Sequence, residues 1–203
     1  MDRYKLFIFD WDGTLSTSTS IVRVSRFVKS RYNIKNIEHT KELYKVDAIK
    51  EINSQVRLNR AYAFIYDIYS RFSKPKLKDG AEDLLRLLKK KGKKVAIFSD
   101  SNRHRLFIET RKLGVTKYVD FILSADSIKK FKPNPTGLIA IANRFKLNRK
   151  QCLYVGDMAS DIYTAKFAGM DSCAVCDGID PEELLKMIKP VYIAKSIRKI
   201  STM

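Results

Sequence analysis

Two carboxylates lie two residues apart in Asp10-Trp11-Asp12-Gly13-Thr14-Leu15, directly after the apolar run Leu6-Phe7-Ile8-Phe9. At the end of a strand, residues i and i+2 leave on the same side. Gly13 lets the chain turn sharply behind them. One such carboxylate can attack phosphorus and carry the phosphoryl group. The second can protonate the leaving oxygen and later take a proton from the attacking water. An Asp pair before a glycine is also an ordinary turn composition, so the pair does not decide the matter alone.

Three further stretches could work with that pair. Ser99-Asp100-Ser101 offers a hydroxyl and free amides before a helix, which suits an anion; the alternative is a helix N-cap. Lys132 stands in Phe131-Lys132-Pro133-Asn134-Pro135, where the prolines restrict the backbone and can fix where the amine points. A cation there could balance a phosphoryl group and a nucleophilic carboxylate; the alternative is one surface lysine beside Lys129 and Lys130. Asp157 and Asp161, in Gly156-Asp157-Met158-Ala159-Ser160-Asp161, could serve a hard cation, one directly and one through water. Asp161 could equally be an acid favoured by the dipole at a helix start.

The elements that must position these residues follow from pattern. Lys5–Phe9 reads as a buried strand. Residues 17–73 read as nearly continuous helix, because no Gly or Pro falls between Gly13 and Pro75 and apolar residues recur at helical spacing. From Gly80 onward strands and helices alternate. Strands are expected at Lys94–Phe98, Tyr118–Leu123, Cys152–Val155, Asp171–Val175 and Val191–Ala194. Helices are expected at Ala81–Lys91, Arg103–Leu113, Thr136–Phe145, Asp161–Ala168 and Pro181–Ile188. Such alternation predicts an α/β fold with a doubly wound parallel sheet, in which ligands bind beyond the carboxyl ends of the strands. Asp10, Asp12, Ser99 and Asp157 all follow expected strands.

The chain has 203 residues, 45% hydrophobic and 31% charged, enough for one α/β domain with an insertion. No apolar run is long enough to span a bilayer. The opening run is too short for a signal-peptide core, so a cytoplasmic location is the default expectation. The three cysteines, Cys152, Cys173 and Cys176, are an odd number; Cys173 and Cys176 form a single CxxC, which lacks the two further ligands a zinc site would need. They read as residues packed in or beside a late strand. The 40 Lys+Arg against 22 Asp+Glu leave a net charge of +18. That favours anionic partners such as phosphorylated metabolites or nucleic acid, or is simply a solvated basic surface.

Taken together, in order and in strand-end placement, the four stretches resemble the haloacid dehalogenase superfamily, in its phosphoglycolate phosphatase-like branch. The stretch from Asp10 to Leu15 is similar to that family's DxDGTL signature, Ser99 to its second motif, Lys132 in KPNP to its third and GDMASD to its fourth. The resemblance implies a Rossmann-like core over residues 1–15 and 79–203, with a small all-α cap over 16–78 inserted after the first strand. It implies a Mg2+-dependent phosphatase acting on a small phosphorylated substrate. Asp10 would be the nucleophile and a metal ligand. Asp12 would be the acid/base and a metal ligand through its backbone carbonyl. Ser99 and the amide of Asp100 would hold phosphate, and Lys132 would stabilise nucleophile and phosphoryl group. Asp157 would ligate the metal, and Asp161 would orient a metal-bound water or Lys132.

Three departures bear on the substrate. Thr17 stands where the family often has an acid, Asp100 where it often has Asn, and the cap has no glycine. Arg23, Arg26, Lys29 and Arg57 are candidate substrate contacts in the cap. Its aromatic run of Tyr62, Phe64, Tyr66, Tyr69 and Phe72 reads as cap core rather than a base-stacking platform. Phosphomutase or pyrophosphatase activity belongs to the same chemistry. A basic nucleic-acid-binding module on an inactive fold is the reading from another class. The sequence defines no oligomeric state.

Overall fold

The computed structural model describes residues 2–17 and 75–202. The chain divides into two units, Met1–Ser18 with Pro75–Met203, and Thr19–Lys74. The second unit lies outside the described residues, and with it the expected helical cap and the basic and aromatic side chains singled out there.

The first unit is built around β1 (Leu6–Phe9), whose four residues are all buried. Alternation sends Phe7 and Phe9 into one apolar cluster and Leu6 and Ile8 into another, so both faces of the strand are covered. A continuous apolar run is what such a central strand requires. β1 pairs in parallel with β4 (Lys94–Ser99) on one side and β6 (Cys152–Gly156) on the other. With β5 (Phe121–Ser124), β7 (Asp171–Val175) and β8 (Tyr192–Ala194) they form a six-stranded sheet in the order β5-β4-β1-β6-β7-β8. Every pairing in it is parallel. The chain builds outward from β1 through β4 to β5, then returns to β6 on the far side. The reversal of winding therefore falls at β1, and its carboxyl end opens onto the switch-point crevice.

The helices on the two faces are α1 (Ala81–Lys90), α2 (Arg103–Lys112), α3 (Ala125–Ile128), α4 (Thr136–Arg144), α5 (Ala159–Ala168) and α6 (Glu182–Met187). Helix α1 shows why: Ala81, Leu84, Leu85 and Leu88 form its buried stripe, with Glu82 and Asp83 in the first turn and Lys89 and Lys90 in the last. Both charge sets complement the helix dipole. Among the described residues no helix is long and apolar enough to cross a membrane.

Several details differ from expectation. The strand expected from Tyr118 starts at Phe121, preceded by a 3-10 turn at Val115–Lys117. Asp120 explains the delay: its carboxylate accepts the Val95 N–H at 2.8 Å and pairs with Lys89, which anchors the chain just before the ladder begins. Helix α5 starts at Ala159 rather than Asp161, because Asp180 and Asp161 receive the first free amides, those of Ala159 (2.7 Å) and Met158 (3.0 Å). A short antiparallel ribbon of β2 (Ser16–Thr17) and β3 (Lys76–Leu77) was not foreseen. The cysteines are all free: Cys152 and Cys173 are buried on β6 and β7, and Cys176 follows β7 half-buried.

Candidate active site

The carboxyl ends of β1, β4 and β6 bring Asp10, Lys132, Asp157 and Asp161 together. The Asp10 N–H donates to the Val155 carbonyl at 2.9 Å, so its backbone still belongs to the ladder while its side chain leaves the strand end. Asp10, Asp157 and Asp161 are all buried, with one carboxylate oxygen of each within 4.8 Å of those of the others. Lys132, on the loop before α4, places Nζ 2.8 Å from Asp10 Oδ1 and 2.7 Å from Asp161 Oδ1. Its side chain is only 5% exposed, against 77% for Lys129. This lysine is therefore not one of a surface run.

The turn after β1 is shaped around the acids. Gly13 has φ +89°, and a Cβ there would sit 2.4 Å from Asp157 Oδ2; a Cβ on Gly178 would sit 2.2 Å from the same oxygen. Thr14 Oγ1 donates to Asp157 Oδ1 at 2.7 Å, and the Ile179 N–H donates to Oδ2 at 2.6 Å. Asp161 has both oxygens engaged: Oδ1 by Lys132 and the Tyr154 hydroxyl (3.0 Å), Oδ2 by the Met158 N–H (3.0 Å). The helix-start reading of Asp161 and the site reading thus hold together. Lys78, 9% exposed, ties two site loops through Gly13 O (2.8 Å), Asp177 O (2.9 Å) and Asp177 Oδ1 (2.6 Å).

Ser99 ends β4, buried, and its Oγ donates to Ser101 Oγ at 3.0 Å while accepting the Ser101 N–H at 3.2 Å. The helix cap here is Asn102, whose side chain accepts the His104 and Arg105 amides, so Ser99 is not needed for capping. Asp100 accepts the backbone N–H of Lys132 at 3.1 Å. Asp12 Oδ2 accepts from Ser101 Oγ and from Arg105 Nη2. Ser101, Arg105, Thr14 and Lys78 are site neighbours that motif reading did not single out. Thr14 and Ser101 at least lay inside quoted stretches, whereas Arg105 and Lys78 carried no signal among 40 Lys+Arg.

The electrostatics are those of a site short of positive charge. Burial pushes the Asp10 carboxyl well above its ordinary range; Lys132 pulls it back, and the charges of Asp161 and Asp157 add to the rise. Burial, with Asp161 beside it, pushes Asp157 up to about 6. Burial by itself would lower the Lys132 ammonium, but Asp10 and Asp161 outweigh it and hold the amine protonated. Three buried acids crowded around one lysine are relieved by a divalent cation. The donors are all oxygen, and the space beside Asp157 is kept clear by Gly13 and Gly178, so the residues fit a hard metal ion such as Mg2+.

Fold and site define a class: a doubly wound α/β protein with a buried acid–lysine cluster at the strand ends beside the switch point. The chain belongs to the haloacid dehalogenase-like hydrolase family, whose model matches residues 7–175. It is 24% identical over 200 residues to the pyrophosphatase PpaX of Halalkalibacterium halodurans, covering 94% of this chain and 92% of that one. It is 32% identical over 88 residues to the phosphoglycolate phosphatase of Escherichia coli (strain K12), which is 43% of this chain but only 35% of that one. A match to a PpaX protein of Caldanaerobacter subterraneus likewise spans 56% of that protein. A haloacid dehalogenase-like family hydrolase from Streptococcus pneumoniae shares the fold, with a TM-score of 0.68 at 18% identity over 100% of this chain and 99% of that one.

Proposed function

We propose that this protein is a magnesium-dependent phosphatase that hydrolyses a small phosphorylated metabolite by way of a phosphoryl group carried on Asp10. The observation that carries the reading is the placement of Lys132 Nζ between Asp10 and Asp161, with Asp157 in the same buried acidic trio. A lysine so held keeps a carboxylate oriented for attack and offers charge to an incoming phosphate.

The proposed roles are those the family resemblance implies for these residues. An oxygen of Asp10 attacks phosphorus, and the bond from phosphorus to the leaving oxygen breaks. Asp12 gives that oxygen its proton. Asp12 then takes a proton from water as the water oxygen bonds to phosphorus, the bond to Asp10 breaks, and inorganic phosphate leaves. Ser99 and the Asp100 amide, at the end of β4, hold phosphate oxygens. Asp10, Asp157 and the backbone carbonyl of Asp12 would hold Mg2+, which supplies the charge neutralisation that lets an anionic carboxylate approach an anionic phosphate. Asp161, whose Oδ1 already accepts from both Lys132 and the Tyr154 hydroxyl, orients Lys132 rather than ligating directly.

For the substrate, the likeness to PpaX along 94% of the chain favours pyrophosphate, and the shorter likeness to phosphoglycolate phosphatase favours phosphoglycolate. Transfer to a sugar hydroxyl, as in a mutase, uses the same aspartyl phosphate. The test is hydrolysis of p-nitrophenyl phosphate with Mg2+ and with EDTA, beside the Asp10→Asn protein, followed by a panel of phosphometabolites. Turnover that needs Mg2+ and falls by at least about 10³-fold in Asp10→Asn is expected. The net charge of +18 favours one other reading, a nucleic-acid-binding module. Absence of turnover, together with tight binding to nucleic acid that weakens steeply with salt, would replace the phosphatase reading with that one.

A further inference from the structure

Resting on the phosphatase reading, we propose that Arg105 is a positioning residue for Asp12, selecting which carboxylate oxygen transfers the proton. Asp12 Oδ2 is held twice, by Ser101 Oγ and by Arg105 Nη2. Arg105 Nη2 also donates to Ser101 Oγ at 2.8 Å, which closes a triangle. Asp12 Oδ1 is buried and has no hydrogen-bond partner among the described residues. A carboxylate has two equivalent oxygens until its surroundings distinguish them. Here one is committed to the protein, and the other is presented for chemistry.

The guanidinium is itself held from behind. Glu109 Oε1 lies 3.6 Å from Arg105 Nε, and Glu109 Oε2 accepts Trp11 Nε1 at 2.7 Å. Trp11 adjoins Asp12 in the chain, so Asp12, Arg105, Glu109 and Trp11 form a closed ring. Arg105 is 7% exposed, Glu109 4% and Trp11 0%. Buried ion pairs of this kind contribute little net stability compared with apolar replacements, so stability does not account for the ring. What the ring does is fix the rotamer of the proposed acid/base relative to Ser99, whose hydroxyl contacts the same Ser101 Oγ.

The experiment compares two substrates that differ in their need for a proton. The p-nitrophenolate group leaves readily unprotonated, whereas an alkoxide does not. kcat/KM reports the step in which the leaving group departs. For Arg105→Met, kcat/KM for a simple alkyl phosphate is expected to fall by about 10²-fold or more, and for p-nitrophenyl phosphate by less than about 10-fold. Arg105→Lys, which keeps a charge with fewer fixed donors, is expected to fall between wild type and Arg105→Met and to carry the test if Arg105→Met does not fold. A merely structural role lowers both substrates by the same factor. Equal losses, or no loss, overturn the proposal while the phosphatase reading stands. No turnover by the wild type of p-nitrophenyl phosphate, the alkyl phosphate or any compound of the phosphometabolite panel overturns both.

Discussion

The carboxylate of Asp100 accepts the backbone N–H of Lys132 at 3.1 Å. The two residues are far apart in sequence, yet this bond joins the end of β4 to the loop that carries the buried amine. An Asn side chain would offer the same oxygen to that N–H. Asp100→Asn is therefore expected to keep kcat within about twofold of wild type, whereas Asp100→Ala loses the bond and about 1 kcal/mol of loop anchorage, about a fivefold loss in kcat. Steady-state kinetics on p-nitrophenyl phosphate check this. A loss as large in Asp100→Asn as in Asp100→Ala would show that the charge, not the hydrogen bond, matters.

Metal-linked stability should depend on pH. Burial and the neighbouring Asp161 push the Asp157 carboxyl up to about 6 in the metal-free protein. Between the unfolded value near 4 and about 6, the folded chain binds a proton that the unfolded chain does not. Stability of the metal-free protein therefore falls as pH rises through that window, and levels off above it. Mg2+ needs the ionised carboxylates that protons neutralise, so its stabilising effect should grow over the same range. The Tm gain from Mg2+ is expected to be clearly larger at pH 8 than at pH 5 in thermal denaturation. An equal gain at both would contradict the assignment of Asp157 as a ligand.

Gly13 leaves little room for change. At φ +89° an added Cβ is strained by about 1–2 kcal/mol, and it would also meet Asp157 Oδ2 at 2.4 Å. Gly13→Ala is expected to lower Tm and to abolish the Tm gain from Mg2+ while far-UV circular dichroism stays native. An unchanged response to Mg2+ would mean that the acids can move aside at no cost.

Burial pushes the Cys152 thiol up to about 11 and the Cys173 thiol up to about 12. Neither offers thiolate near neutral pH, and neither is accessible. A thiol reagent at pH 8 is expected to modify only Cys176 in the native protein and all three cysteines in urea. Mass spectrometry of the labelled peptides reads this directly; fast native labelling of Cys173 would contradict the packing of β7.

Much of this architecture was legible in the residues. β1 could be read because a strand buried on both faces must be apolar throughout, and α1 because its stripe repeats at helical spacing. Asp10 and Asp157 could be singled out because each directly follows an expected strand, and Lys132 because it stands in the KPNP stretch that resembles the family's third motif. The β2–β3 ribbon could not, since two residues per strand carry no period and the pairing joins distant segments. Nor could the Asp120 anchor that delays β5 be read, because its partners Val95 and Lys89 are remote in sequence.

By itself, the order of residues determined the parallel α/β sheet and the set of acids at its strand ends, because periodicity and motif spacing are local properties of a chain. Tertiary structure decided which polar groups meet there: that Lys132 is buried between Asp10 and Asp161 while Lys129 is solvated, and that Arg105 rather than another cation holds Asp12. Those choices rest on burial and on contacts between segments remote in sequence. One basic residue among many looks like any other until folding removes it from water.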